Sequence, residues 1–273
     1  MPLNIPGILV PFQLMIYPRL VIPHLSEDIR HLDFKALRKA GYRGAIFDKD
    51  NCLTIPHQDQ LVPELQDAWK ECLETFGEGN VLIVSNSAGT YLDAGGIQAE
   101  SVSHHLNAPV LPHKSFKPAY SCISSVRTYF SSLKTPLKDE ELIVVGDRVF
   151  TDVIMANRMR KSRISKSNNP LQMSLSCAFE KSGTVATEKE SAGLVDTSKA
   201  NGPLAILTTG VWKRESMLMR YLELNLVNAV RKWSKPKSDE PLDSDTARFV
   251  RELPEPLPPK SWFAKTLDRL KRT

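Results

Sequence analysis

Cysteine pairs are absent from this sequence. The chain of 273 residues contains only four cysteines, and no two of them form a CxxC motif. Isolated cysteines at wide spacing argue against a zinc site and against a disulfide framework, so we expect the protein to reside in a reducing compartment. The four are Cys52, Cys72, Cys122 and Cys177.

A long uninterrupted apolar run is also missing. Residues 5–25 are mostly apolar but contain four prolines, whereas a membrane-spanning helix needs about 20 consecutive residues with internally paired backbone groups. No basic start precedes the apolar residues, as a secretory signal requires, and no Arg- and Ser-rich transit peptide is visible. Residues 5–25 are therefore either packed on the core, which the sequence alone slightly favours, or located in a membrane interface. Together with the helix that follows, residues 1–41 form the expected apolar and helical amino-terminal segment that associates with a membrane.

The overall charge is weak, and its distribution is more informative. A net charge of +5, with 41% hydrophobic and 25% charged residues, is typical of a folded globular protein and excludes a wholly disordered chain. Basic residues concentrate late in the chain, at residues 158–166, 231–237 and 260–272. This excess favours an anionic partner, such as a membrane surface or a phosphate-bearing substrate, and we expect no nucleic-acid partner.

Short apolar runs rich in Val and Ile alternate with amphipathic helical patterns along the chain. This alternation predicts an α/β fold with a Rossmann-like parallel sheet and helices on both faces. The predicted strands end at Phe47, Ser85, Leu111, Gly146 and Thr209. The predicted helices cover residues 26–41, with Ser26 as the N-cap, and residues 63–77, 118–133 and 213–233.

Composition divides the chain after residue 41 into a core and a tail. Residues 42–233 form the predicted core. Within it, residues 160–202 are rich in Ser, Lys, Thr and Glu, and we predict a mobile insertion because few large apolar side chains are available for burial. Residues 234–273 combine a linker rich in Pro and charge with a tail that suits a short, basic amphipathic helix.

Polar side chains follow four of the predicted strands, at the edge where doubly wound sheets bind their ligands. In order along the chain they are Asp48 and Asp50, Ser85 and Asn86, Lys114 and Lys117, and Asp147 and Asp152. Residues two apart in an extended chain point the same way, so we expect Asp48 and Asp50 to face one site. Mg²⁺ bound between such carboxylates relieves their repulsion and also accepts phosphate oxygens as ligands.

This set of groups predicts phosphoryl transfer. One aspartate can attack phosphorus, and its neighbour can protonate the leaving oxygen and later take a proton from water. A lysine and a serine hydroxyl can bind the charged phosphoryl oxygens. Cys52 is a tempting nucleophile, but no phosphate-binding glycine loop and arginine follow it, so we interpret it as a packed thiol.

The four motifs "FDKDNCLT", "VLIVSNSAG", "KP" and "VVGDRVFTDV" occur in this order, and over residues 42–160 the chain resembles the haloacid dehalogenase-like phosphatases. It is similar to the capless subgroup that contains the fungal mitochondrial phosphatases of phosphatidylglycerophosphate (PGP). The resemblance implies Asp48 as the nucleophile and Asp50 as the general acid and base. It also implies phosphate binding by Ser85, Asn86 and Lys117, with Lys114 as a competing candidate for the lysine. The implied Mg²⁺ ligands are Asp48, Asp50 through its backbone carbonyl, Asp147 and Asp152.

The subgroup also implies a substrate and a place in the cell. The expected reaction converts PGP to phosphatidylglycerol, a step toward cardiolipin, on the matrix side of the mitochondrial inner membrane. Each gap between the first three motifs holds about one helix, which leaves no room for a cap domain, and an open site suits a phosphate that protrudes from a bilayer. We therefore expect a peripheral protein on an anionic membrane. The alternatives are a phosphatase for a soluble or protein-bound phosphate monoester and a non-catalytic membrane-bound scaffold. The oligomeric state stays open.

Overall fold

A parallel five-stranded sheet lies at the centre of the molecule. The computed structural model describes residues 10–167, 202–214, 217–234 and 246–251. The strand order is β1-β5-β4-β2-β3, and every neighbouring pair is parallel. The strands are β1 (Leu25–Ser26), β2 (Gly44–Phe47), β3 (Val81–Ile83), β4 (Leu142–Gly146) and β5 (Leu204–Leu207). The predicted α/β fold with a Rossmann-like sheet is therefore confirmed.

Helices cover both faces of this sheet. They are α1 (Val10–Ile16), α2 (Phe34–Lys39), α3 (Gln66–Phe76), α4 (Ile97–Leu106), α5 (Tyr120–Ser131), α6 (Ile154–Ser167) and α7 (Met217–Trp233). The helices predicted within residues 63–77, 118–133 and 213–233 are confirmed as α3, α5 and α7. A short 3-10 turn at Pro63–Leu65 leads into α3, because proline is favoured at the first turn of a helix.

The core has two apolar layers, one on each side of the sheet. Successive strand residues point to opposite faces. On β4, Ile143 and Val145 pack against residues of α2, α3 and α4, whereas Val144 packs against residues of α5, α6 and α7. All five residues of β4 are buried, which places its carboxyl end, and the acids that follow it, between two helical layers.

The prediction for residues 26–41 is partly wrong. Ser26 belongs to β1 and does not cap a helix. Instead Asp28 accepts a hydrogen bond from the Arg30 backbone N–H (2.9 Å) and begins a short 3-10 turn, and Asp33 accepts one from Ala36 N–H (2.8 Å) and begins α2. Two aspartate caps thus divide what the apolar spacing predicted as one helix.

Both edges of the sheet also differ from the prediction. The strand predicted to end at Leu111 is reduced to a single parallel bridge between Val110 and Ile83. At the other edge, β1 pairs with β5 and was not predicted, because two residues are too short to show a period.

The amino-terminal part of the described chain is packed at one end and exposed at the other. Leu20 and Val21 are buried, and the Asn157 side chain donates hydrogen bonds to the carbonyls of Leu20 (2.9 Å) and Ile22 (3.0 Å). In contrast, Met15 at the end of α1 is 84% exposed. Among the described residues, no helix is both long and apolar enough to cross a membrane.

The structure differs from two of the predicted domain boundaries. Helix α6 continues to Ser167, past the predicted start of the insertion at residue 160, and residues 168–201 lie outside the described structure. Within the predicted linker, Phe249 is buried edge-on against Tyr42 (ring centroids 6.0 Å apart), so residues 246–251 pack on the core through this side chain. The predicted tail helix lies outside the described residues.

Candidate active site

Three carboxylates meet where β2 and β4 end. Asp48 follows β2, Asp147 follows β4, and Asp152 belongs to a single π-helical turn at Val149–Val153. One carboxylate oxygen from each of the three lies within 4.8 Å of the others. The Asp48 backbone N–H donates to the Val145 carbonyl (2.9 Å), so sheet pairing continues up to the site and fixes the position of this residue. We call these three residues the acidic cluster.

Lys117 enters the acidic cluster from the loop before α5. Its ammonium group lies 2.6 Å from Asp48 Oδ1 and 2.7 Å from Asp152 Oδ1, and the residue is only 2% exposed. Its backbone N–H donates to the Asn86 side-chain carbonyl (2.7 Å), which ties the lysine loop to the loop after β3. Lys114 is exposed. The structure therefore places Lys117, and not Lys114, in the site.

Burial and charge crowding shift the pKa values of the acidic cluster. Burial, with the nearby charge of Asp152, raises the pKa of Asp48 to about 6 although Lys117 opposes the shift. Burial and the charges of Asp48 and Asp152 raise the pKa of Asp147 to about 8. For Lys117, burial lowers the pKa, but the two carboxylates outweigh it and raise the pKa above its usual value. One ammonium group therefore does not balance the negative charge of the acidic cluster.

These properties fit a divalent cation. Three converging carboxylates whose negative charge the neighbouring cations only partly balance offer oxygen ligands of the kind that Mg²⁺ takes from proteins. The residues that could hold it by their side chains are Asp48, Asp147 and Asp152. The Asp50 carboxylate is not one of this group, so the predicted contribution of Asp50 to the metal rests on its backbone carbonyl.

The Asp50 carboxylate is instead held by residues that the sequence did not identify as part of the site. Oδ1 of Asp50 accepts a hydrogen bond from the ammonium of Lys49 (2.7 Å), and Oδ2 accepts one from the Ser87 hydroxyl (2.8 Å). Lys49 is fully buried, and the Ser87 hydroxyl also lies 2.9 Å from the Ser85 hydroxyl. A chain of hydroxyl groups thus joins the predicted acid to the predicted phosphate-binding serine.

Asn51 and Cys52 have structural roles in the site. The Asn51 side chain accepts hydrogen bonds from the backbone N–H groups of Trp212 (3.2 Å) and Lys213 (3.0 Å) and donates one to the Lys213 carbonyl (2.9 Å). The loop after β5 is thereby fixed to the loop after β2. Cys52 is buried, and burial raises its pKa well above the usual value, so it is a packed and protonated thiol as predicted.

Helix α7 also reaches the acidic cluster, which the sequence did not reveal. The Arg220 guanidinium lies 3.3 Å from Asp147 Oδ2 and donates to the Thr208 carbonyl (2.8 Å). One turn later, Glu223 accepts a hydrogen bond from the Val149 backbone N–H (3.1 Å), and burial raises the pKa of this carboxyl group. Both contacts join residues more than 70 positions apart, so no local motif could have identified them.

Comparison with known families gives one match to a family model. A model described as mitochondrial PGP phosphatase matches residues 5–167, a range that contains all of the predicted site residues. No solved structure shows a significant match to the chain.

Several curated proteins are similar to the chain. Phosphatidylglycerophosphate phosphatase 1, chloroplastic, of Chlamydomonas reinhardtii is 41% identical over 141 residues, which are 51% of this chain and 50% of that protein. The chloroplastic/mitochondrial protein of the same name from Arabidopsis thaliana is 35% identical over 57% of this chain and 44% of its own length. The mitochondrial phosphatidylglycerophosphatase of Saccharomyces cerevisiae is 33% identical over 62% of this chain and 93% of its own length. The chain thus spans about half the length of the algal and plant relatives.

Proposed function

Because the chain belongs to the family of mitochondrial PGP phosphatases, we propose that it hydrolyses PGP to phosphatidylglycerol and phosphate. The observation that carries the chemistry is the acidic cluster of Asp48, Asp147 and Asp152 with Lys117 buried between two of its carboxylates. The substrate is taken from the relatives of Chlamydomonas reinhardtii and Saccharomyces cerevisiae, both of which are named for the hydrolysis of PGP.

In this proposal Asp48 attacks phosphorus and forms an aspartyl-phosphate, while the bond from phosphorus to the glycerol oxygen breaks. Asp50 gives its proton to that oxygen, so the first product leaves as an alcohol. Asp50 then takes a proton from water, which attacks the phosphoryl group and restores the Asp48 carboxylate. Lys117 and Ser85 bind the phosphoryl oxygens, and Asn86 fixes the Lys117 loop. Mg²⁺, held by the acidic cluster, supplies further charge neutralisation.

We also propose a peripheral position on an anionic membrane, at the matrix side of the mitochondrial inner membrane. Two relatives from yeasts, Saccharomyces cerevisiae and Schizosaccharomyces pombe, carry the word mitochondrial in their names. The basic stretches of the sequence favour contact with acidic lipid headgroups. Phosphatidylglycerol made there is available for the synthesis of cardiolipin.

The first test is phosphate release from PGP in mixed micelles, measured with Mg²⁺ and again with a chelator. Release that requires the metal is the expected result. Release from an aryl phosphate under the same conditions, without release from PGP, would retain the phosphatase chemistry and reject the lipid substrate. No release from either compound would reject the enzyme and favour a non-catalytic scaffold.

Lys49 provides a second test, because its ammonium group donates a hydrogen bond to the carboxylate of Asp50, the predicted general acid. We expect Lys49→Met to slow hydrolysis of an alkyl phosphate such as glycerol phosphate by about 10-fold or more. The ester oxygen of an alkyl phosphate is a poor leaving group unless a positioned acid protonates it as the bond to phosphorus breaks. The comparison uses kcat/KM, which covers only the steps up to loss of the leaving group and so leaves out the later attack of water, where Asp50 acts as base on every substrate. The kcat/KM for p-nitrophenyl phosphate, whose leaving group needs no proton, should change much less. The ratio of the two rates does not depend on the folded fraction of the variant. Equal losses on both substrates would contradict a role of Lys49 in positioning Asp50.

A further inference from the structure

The outer face of α7 is apolar over its first two turns. Leu218 is 73% exposed, Tyr221 65% and Leu222 50%. Residues three and four apart lie on the same face of a helix, so these three side chains form one surface. The two charged residues of these turns, Arg220 and Glu223, point inward to the acidic cluster and to the Val149 backbone. Within residues 217–224, as the structure describes them, the outward surface therefore lacks the charges that normally cover an exposed helix.

A second apolar group lies beyond β3, on the other side of the site. Tyr91 is 60% exposed and Ile97 is 72% exposed, and Leu92 between them is 47% exposed. The Tyr91 ring packs on Phe116 (centroids 5.3 Å apart), which directly precedes Lys117. This group is thus connected by direct contact to the lysine loop of the site.

Both groups lie at the carboxyl edge of the sheet. Arg220 reaches Asp147 after β4 and the Thr208 carbonyl after β5, which places the first turns of α7 at that edge. Tyr91 and Ile97 follow β3, at the opposite end of the row β5-β4-β2-β3. The acidic cluster, at the ends of β2 and β4, therefore lies between two exposed apolar groups. We call these two groups together the site rim.

Positive charge accompanies the α7 part of the site rim. Lys213 and Arg214 are exposed in the loop that leads to α7, and Asn51 fixes the backbone of Lys213 to the loop that carries Asp50. Basic side chains beside exposed Leu, Tyr and Ile are the combination that binds an anionic bilayer, because apolar groups enter the acyl boundary while cations contact headgroups.

We propose that the site rim is the surface by which this protein docks on an anionic lipid bilayer, with the outer face of α7 inserted at the interface. The inference rests on the proposed function, since a lipid phosphate stays at the bilayer surface and the opening to the acidic cluster must face it. Docking through the site rim brings Asp48 to the headgroup without extraction of the lipid. A large exposed apolar surface on a folded protein itself marks an interaction site.

The test is cosedimentation of the full chain with phosphatidylcholine vesicles that contain phosphatidylglycerol. The double variant Leu218→Glu, Leu222→Glu is expected to bind these vesicles at least about 10-fold more weakly, because two exposed apolar contacts are lost and two repelling charges are added. Its turnover of p-nitrophenyl phosphate should equal that of the wild type. Its turnover of vesicle-borne PGP should need more lipid for half-maximal rate.

The control variant is Trp233→Glu. Trp233 is 87% exposed at the last residue of the same helix, about 24 Å from Met217 at a rise of 1.5 Å per residue. This variant should bind vesicles as the wild type does. Equal losses in both variants, or none in the double variant, would overturn the proposal. The proposal would also be overturned if the double variant bound vesicles normally but sedimented as a smaller species than the wild type. The outer face of α7 would then be an interface between copies of this chain. Vesicle binding that depends on Leu218 and Leu222, without PGP hydrolysis, would retain the surface and reject the proposed function.

Discussion

Asp48→Asn is expected to lower phosphate release from PGP by on the order of 10⁴-fold or more, as loss of an enzyme's nucleophile does. The amide nearly matches the carboxylate in shape but does not attack phosphorus. The comparison is made at saturating Mg²⁺ on both PGP and p-nitrophenyl phosphate. Because the nucleophile acts on every substrate, the loss should be equally large on both, unlike the selective loss expected for Lys49→Met.

The fold of this variant should remain intact. Asp48 is one of three crowded acids, and its side chain is 11% exposed. Asparagine removes one of the repelling charges, so the free energy of unfolding of the metal-free protein should stay equal or rise. A circular dichroism spectrum and a thermal melt, measured beside the activity, separate chemical loss from unfolding. Substantial turnover by a folded Asp48→Asn protein would remove Asp48 from the mechanism.

The acidic cluster was accessible to sequence analysis because each member stands next to a strand. Asp48 and Asp147 follow runs of four and five buried residues, and the carboxyl ends of parallel strands meet at one edge. Lys117 was one of two candidates that sequence alone did not separate. Burial separates them in the structure, since only Lys117 is enclosed by carboxylates.

The contacts that support the acidic cluster and Asp50 could not be predicted from the sequence in the same way. Arg220 and Glu223 belong to a helix that the sequence predicted correctly. The apolar periodicity that predicts a helix does not identify the residues that its polar side chains contact. Lys49 did carry a signal that was missed. It is a charged residue between two acids at the end of a buried strand, and alternation along the strand directs it away from Asp48.

The edge strand β1 illustrates a different limit. Leu25 and Ser26 pair with Ile206 and Leu207 of a strand about 180 residues later in the chain. Nothing in the two-residue segment itself specifies a strand, and the prolines around it favour irregular structure. The pairing arises because the exposed edge of β5 offers free backbone groups. Tertiary contact, and not local pattern, decides the structure of this part of the chain.

Lys117→Met is expected to have the second large effect, on stability as well as on turnover. Methionine nearly matches lysine in length but leaves Asp48 and Asp152 without their ammonium partner. Removal of one member of a buried ionic group typically costs about 3 to 5 kcal/mol of the free energy of unfolding, because the remaining charges are buried without compensation. Turnover should fall by on the order of 10³-fold, since a charged donor to the phosphoryl oxygens is lost.

Urea unfolding of the metal-free protein, with Lys114→Met as the matched control, measures this cost. Lys114 is exposed, so its loss should change the free energy of unfolding by less than about 0.5 kcal/mol. Mg²⁺ should restore part of the stability of Lys117→Met, because a bound cation supplies positive charge to the same carboxylates and stabilises the folded state by mass action. If the two variants unfold at the same urea concentration and retain the same turnover, Lys117 neither balances the acidic cluster nor binds the phosphoryl group.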